Sequence, residues 1–128
     1  MHDLETFLTA YIEAALWSTS GTDPEGNELE SLEDFEVAPE TEDRMRRECA
    51  RFLETYGHLI SEDTCLSNRC YSADVQAGHD FWLTRNGHGC GFWDGDWAPG
   101  VEDLLTEASK RFGEAYLYVG DDGLVHQA

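Results

Sequence analysis

Ten carboxylates and no Lys or Arg occupy the stretch from Asp23 to Asp43: Asp23, Glu25, Glu28, Glu30, Glu33, Asp34, Glu36, Glu40, Glu42 and Asp43. Like charges packed this densely repel one another and oppose compaction, so the stretch belongs in water and the core must come from the rest of the chain. Leu29, Leu32, Phe35 and Val37 punctuate the acids, and these four are the anchors expected to pin the segment to the body. Residues from about 18 to 38 therefore read as an irregular acidic layer with at most one helical turn.

On either side of that layer the pattern is that of a folding chain. Apolar residues make up 41% and aromatics 12% of 128 residues, enough for one domain spanning 1–128 with a real core. Leu4, Phe7, Leu8, Tyr11, Ile12, Ala15 and Leu16 recur at helical spacing behind Asp3 and Glu5, which predicts a first helix. Pro39 opens a second, with Met45, Cys49, Phe52, Leu53 and Tyr56 as its buried stripe and Gly57 as its stop. That helix carries half of all the basic residues, and acids four positions earlier predict intrahelical pairing.

The pattern of the second half is mixed. His58 to Tyr71 fits no template. Ser72 to Ala77 reads as a short helix ended by Gly78. Asp80–Thr84 and Gly91–Trp93 are aromatic-rich and flank Asn86-Gly87, which predicts a hairpin with Trp82, Phe92 and Trp93 in the core. Val101 to Phe112 reads as a third main helix with Val101, Leu104, Leu105, Ala108 and Phe112 on one face. Ala115–Val119 and Leu124–His126 flank Gly120-Asp121-Asp122-Gly123 as a second hairpin. The expectation is an α+β fold, three main helices packed on a small antiparallel sheet made from two β-hairpins.

The run Gly78-His79-Asp80-Phe81-Trp82-Leu83-Thr84-Arg85-Asn86-Gly87-His88-Gly89, then Gly91-Phe92-Trp93-Asp94 and Leu117-Tyr118-Val119-Gly120-Asp121-Asp122-Gly123, resembles a largely uncharacterised family of small proteins encoded by tailed phages and prophages. The similarity covers the C-terminal half; the first helix and Ala38-Pro39-Glu40-Thr41 agree more loosely. It implies a phage origin and a host-cytoplasm setting, and supplies no activity. The chain departs from the family pattern by a longer stretch around Cys65 to Tyr71 and by Cys90 where relatives carry a small residue, which speaks against shared cysteine chemistry.

Three constellations bear on function. Cys65, Cys70, His79, His88 and Cys90 are soft ligands within 26 residues. Their spacing lacks paired zinc knuckles, so ordinary cysteines are expected, with no metal and no cofactor. His79, Asp80, Arg85, Asn86, His88, Asp94 and Asp96 crowd one segment and could do acid–base work. No nucleophile elbow or phosphate loop accompanies them, so a structural hairpin is the plainer reading and no enzyme is expected.

The acidic surface is the third. A net charge of −19 matches the phosphates along about 32 Å of duplex DNA, close to the roughly 35 Å diameter of a domain this size. The excess of acid argues against direct binding to nucleic acid or an anionic membrane, and no apolar run is long enough to span one. It fits a host nucleic-acid-binding protein with a basic groove, of the CRISPR, restriction or repair type, inhibited by mimicry. Partner contacts are expected from Asp23, Glu25, Glu28, Glu30, Glu33, Asp34, Glu36 and Glu40, extended by Asp94 and Asp96, with Trp97, Phe35 or Tyr71 as an anchor. Glu62, Asp63, Glu102 and Asp103 are further extensions. The competing readings are solubility or salt adaptation, with Lys110 the only lysine, in a phage housekeeping or assembly domain, or a small enzyme acting from the His79–Asp96 segment.

Overall fold

The computed structural model describes residues 2–66 and 72–128. In chain order the elements are α1 (Leu4–Ser18), β1 (Gly21–Thr22), β2 (Glu28–Leu29), α2 (Pro39–Tyr56), α3 (Ala73–Arg85), α4 (Val101–Arg111), β3 (Leu117–Val119) and β4 (Val125–Gln127). The coarse class is α+β, as the sequence led one to expect. Two details differ: four helices build the core, and the strands form two separate two-stranded antiparallel sheets, β1–β2 and β3–β4.

The first two helices begin where their chemistry says they should. The Asp3 side chain accepts from the Glu5 and Thr6 amides and caps α1. Pro39 opens α2, whose Thr41, Met45, Cys49 and Phe52 face inward, and Gly57 follows its last residue. His2 ties these starts and stops together. Its Nδ1 lies 2.6 Å from Asp74 Oδ1 and its Nε2 2.6 Å from the Gly57 carbonyl oxygen. Arginines on α2 pair as expected, Arg46 with Glu42 and Asp43 at 3.6 and 3.4 Å, and also across to Glu5 on α1 at 3.1 Å.

The expected hairpin at Asp80–Trp93 is a helix instead. Helix α3 starts at its Ser72 cap, runs through Gly78 without a break, and ends at Asn86-Gly87, with Gly87 at φ 69°. Two physical reasons explain the difference. A Cβ on Gly78 would lie 2.4 Å from the Phe7 carbonyl oxygen, so this glycine serves the close crossing of α1 and α3 and stops nothing. From Gln76 to Arg85 every residue but His79 is buried, so α3 lacks the polar stripe that makes helical periodicity visible.

An aromatic core surrounds this central helix. Phe81 stacks on Phe52 at 4.2 Å between ring centroids, and Trp82 meets Tyr11 edge-on at 5.4 Å. Phe92 and Trp97 complete it from the loop that follows, whereas Trp93 is about half exposed and lies outside the core. On α4, Leu105 and Ala108 are buried but Leu104 faces solvent, a second correction to the expected apolar face. The β3–β4 hairpin forms as expected around Gly120-Asp121-Asp122-Gly123, with Tyr118 opposite His126.

At the end of α3, Arg85 is buried and satisfied on all sides. Nε donates to the Gly113 carbonyl at 2.8 Å and Nη2 to the Phe112 carbonyl at 3.0 Å, holding the end of α4. Nη1 donates to the Tyr11 hydroxyl at 2.9 Å, and both terminal nitrogens reach Glu48 Oε2 at 3.3 Å. That matches the number of N–H groups a guanidinium carries. Arg85, one of the residues that could have done acid–base work, is instead a staple between α1, α2, α3 and the end of α4.

The acidic layer is strapped down as its anchors predict, but its first part is not irregular: it is the β1–β2 hairpin, turned by the Asp23–Asn27 hydrogen bonds. Leu32 is fully buried, and its amide donates to the Leu16 carbonyl at 3.0 Å. Leu29, Phe35 and Val37 pack half-buried on the core. The Val125 amide donates to the Glu36 carbonyl at 2.8 Å and the Ala38 amide to the Val125 carbonyl at 2.9 Å, so the strap is stitched to β4.

Candidate functional site

A cleft of about 690 Å³ opens where the last turns of α1, one side of α3, the acidic strap and the loop after α3 meet. Each contributes acid: Glu13 from α1, Glu33 from the strap, Asp80 from α3, and Asp94 and Asp96 from the loop. No Lys or Arg lines it among the described residues. Trp17, Leu16 and Leu83 supply the apolar part of the wall, with the Trp17 ring more than half exposed.

The cleft floor is a small polar network. Asp80 Oδ2 accepts from Trp97 Nε1 at 2.8 Å and from Gln76 Nε2 at 3.0 Å. The same Gln76 nitrogen reaches Asp96 Oδ2 at 3.5 Å, at the limit of a hydrogen bond. Burial pushes the Asp80 carboxyl up to about 7; the Trp97 and Gln76 hydrogen bonds oppose that rise, and the charges of Asp94 and Asp96 add to it. Gln76 is 98% buried, and its carbonyl oxygen has no donor among the described residues. His79 Nε2 stands 3.7 Å from Glu13 Oε2 at the cleft wall.

The loop is held in register by α3 itself. Thr84 Oγ1 accepts from the Phe92 amide at 3.0 Å, and a Cβ on Gly91 would sit 2.3 Å from that same oxygen. Asp94 Oδ2 in turn accepts from the Gly91 amide at 3.2 Å. The backbone of this loop is therefore seated on the helix, and its two aspartates reach the cleft as a consequence.

The residues singled out from the sequence separate into three groups. Glu33, Asp94 and Asp96 come together in the cleft with Asp80 and His79. Glu25, Glu28, Glu30, Asp34 and Glu36 are exposed along the strap beside it in sequence, but do not line the cleft. Asp23 and Glu40 are committed elsewhere. Asp23 holds the β1–β2 turn, accepting from the Glu25 and Asn27 amides and the Asn27 side chain, and those Asn27 bonds hold its carboxyl below the ordinary carboxylate range. Glu40 lies 3.8 Å from His126.

Trp97 is not a surface anchor. It is 1% exposed and hydrogen-bonded to Asp80, because a Trp this buried needs a partner for its N–H and finds it in the carboxylate below the cleft. Phe35 is half-buried in the core, and Tyr71 lies outside the described residues. Glu62 accepts from the Ala73 amide at the start of α3, and Glu102 and Asp103 sit in the first turn of α4. His88 does not join His79 in the cleft. Cys70 lies outside the described residues, and among the rest no three His, Cys, Asp or Glu side chains gather in a way that could hold a metal ion.

Glu13, Trp17 and Gln76 carried no signal in the sequence. Each sits in an ordinary helical pattern, and only the crossing of α1 with α3 places them at a common opening. Among the described residues no helix is long and apolar enough to cross a membrane. Comparison with protein-family models, with curated proteins and with solved structures finds no match to this chain.

Proposed function

We propose that this chain is a binding protein whose acidic face occupies the basic groove of a nucleic-acid-handling protein in place of the polynucleotide. The observation that carries the reading is the separation of charge. Glu25, Glu28, Glu30, Glu33, Asp34 and Glu36 are all exposed, and no Lys, Arg or His of the described residues pairs with any of them. Five of the six described arginines are engaged elsewhere: Arg44 and Arg85 on Glu48, Arg46 on Glu5, Glu42 and Asp43, Arg51 over the Phe112 ring, and Arg111 on the Tyr56 hydroxyl. A face left bare of counter-charge costs self-repulsion, and it steers a cationic partner into fast, salt-sensitive encounter.

The phage resemblance gives the reading a setting: a phage gains when a host defence protein of the CRISPR, restriction or repair type is blocked in the host cytoplasm. The test is capture from bacterial host lysate followed by competition. The captured protein should be basic, should bind DNA or RNA, and should lose that binding when this chain is added. Changing Glu28, Glu30, Asp34 and Glu36 together to Gln should abolish capture while the fold is kept. Capture of nothing that binds nucleic acid, or capture indifferent to these four changes and to salt, overturns the proposal.

A second reading is favoured by one observation: His79, Asp80, Asp94 and Asp96 share a cleft, and Asp80 titrates near neutrality. A carboxyl whose pKa is lifted toward neutrality suits acid–base catalysis. It predicts that turnover of some substrate is lost in Asp80→Asn with the fold intact, whereas partner capture is unaffected.

A further inference from the structure

We propose that His2 is a proton-dependent clasp: seated between Asp74 and Gly57 its ring carries both ring protons, and loss of one opens this corner of the fold. None of these three residues lines the cleft or belongs to the acidic strap.

Each ring nitrogen faces an acceptor. Nε2 lies 2.6 Å from the Gly57 carbonyl oxygen, and Nδ1 lies 2.6 Å from Asp74 Oδ1. A carbonyl has no proton to give, so Nε2 donates. Asp74 sits in the first turn of α3, where the helix dipole favours negative charge, and its Oδ2 already accepts from the Asp3 amide at 3.1 Å. The carboxylate is therefore an acceptor too, and Nδ1 donates to it. A neutral imidazole has a single N–H. In either tautomer it would set a lone pair against an oxygen at 2.6 Å, so the seated ring is the imidazolium.

Gly57 shows that the fold makes room for this ring. Its φ of −58° and ψ of −28° are helical values that any residue adopts, so no turn requires a glycine here. A Cβ at this position would instead lie 2.9 Å from His2 Cδ2 and 3.1 Å from Nε2. The glycine serves the approach of the ring. Three element ends meet on it: the capped start of α1, the end of α2 and the start of α3.

The titratable groups on these elements are Asp3 and Glu5 on α1, with Glu5 engaged by Arg46, then Glu54, Tyr56 and His58 around Gly57, and Asp74 on α3 with Glu62 on the Ala73 amide. Among the described residues only Asp74 of these bonds to the ring. The native corner thus holds a proton that the unfolded chain releases in the ordinary imidazole range, about pH 6.5. Stability from the clasp is complete below that range and declines as pH rises above it. One proton of difference changes the unfolding constant by up to about tenfold per pH unit.

The experiment uses the full chain, with NMR of the histidine ring nitrogens at pH 7.5 and urea melts from pH 6 to pH 9. At pH 7.5 an unrestrained imidazole is about nine-tenths neutral. His2 of the wild type should show two protonated ring nitrogens. Asp74→Asn should show one, because the Asn amide donates to Nδ1 while its oxygen takes the Asp3 amide, and the neutral ring then fits. Gly57→Ala should displace the ring and return it to ordinary titration. Expressed as a ratio to either variant, which cancels the other titrating groups, the wild-type unfolding constant should rise several-fold from pH 6 to pH 9. A single ring N–H on wild-type His2 at pH 7.5, or a ratio that stays flat against either variant, overturns the proposal.

Discussion

Arg85 and Asp80 lie five residues apart on α3, both buried, both ionisable, and their surroundings treat them in opposite ways. Each of the five Arg85 N–H groups has an acceptor, and a carboxylate lies beside it, so its charge is compensated. Asp80 receives two neutral donors, faces further carboxylates, and is backed by an amide whose oxygen lacks a donor. A satisfied buried charge is a structural staple. A buried carboxyl with only neutral donors instead gives up its charge and holds its proton. The same helix thus serves the core along one side and the surface chemistry along another.

Breaking the staple should have the largest effect. Arg85→Ala removes the buried partner of Glu48, leaving it only the longer contacts to Arg44 and Gln127, and strips the Phe112 and Gly113 carbonyls, so about 3–5 kcal/mol of stability should be lost in denaturant melts. If the loss were under about 1 kcal/mol, the two sites would not differ as described.

Asp80→Asn sharpens the contrast through pH. Folding raises this carboxyl from 3.8 to about 7, so the native state holds a proton that the unfolded chain gives up. The native protein is therefore favoured most below pH 4, loses stability as pH rises from 4 to 7, and is flat with respect to this group above 7. The full descent is at most roughly 4 kcal/mol, since one pKa unit corresponds to about 1.4 kcal/mol. In Asp80→Asn that descent should vanish, leaving a variant more stable than the parent at pH 8. A wild-type stability that rises over the same interval, with no change in the variant, would contradict the account.

Gly78→Ala acts on both sites together, because its Cβ would meet the Phe7 carbonyl and force α1 away from α3. About 1–3 kcal/mol of destabilisation is expected, with Tyr11 drawn from Arg85 and the cleft widened. The smallest effect belongs to the strap. Replacing Glu28, Glu30, Asp34 and Glu36 by Gln removes exposed, unpaired charge, so the melting curve should move by less than about 1 kcal/mol, toward higher stability at low salt.

How much was visible beforehand depends on how each element meets water. Helices α1, α2 and α4 present one face to the core and one to solvent, so Phe7, Leu8 and Tyr11, or Met45, Cys49 and Phe52, declare their period directly. The β3–β4 hairpin declared itself through Gly120-Asp121-Asp122-Gly123. Helix α3 did not, because Phe81, Trp82, Leu83, Thr84 and Arg85 are all buried and their apparent alternation copied a strand. Trp97 was misjudged for a related reason: nothing local distinguishes a Trp at an interface from one bonded to a carboxylate in the core. Of the cleft, Glu33, His79, Asp80, Asp94 and Asp96 were suspected. Glu13, Trp17 and Gln76 were not, since their meeting depends on the crossing of two helices.

By itself the chain order of residues determined the local matters: where three helices begin, where a hairpin turns, and that a run of carboxylates must stay in water on four apolar anchors. These follow from short-range sterics, capping and hydration, which read only a few neighbouring residues. The tertiary structure alone decided that Gly78 permits a close crossing, that Arg85 is neutralised while Asp80 is not, and that acids from four separate segments share one opening. Such outcomes depend on burial and on distances between groups far apart along the chain, and electrostatic energies take their size from those two quantities.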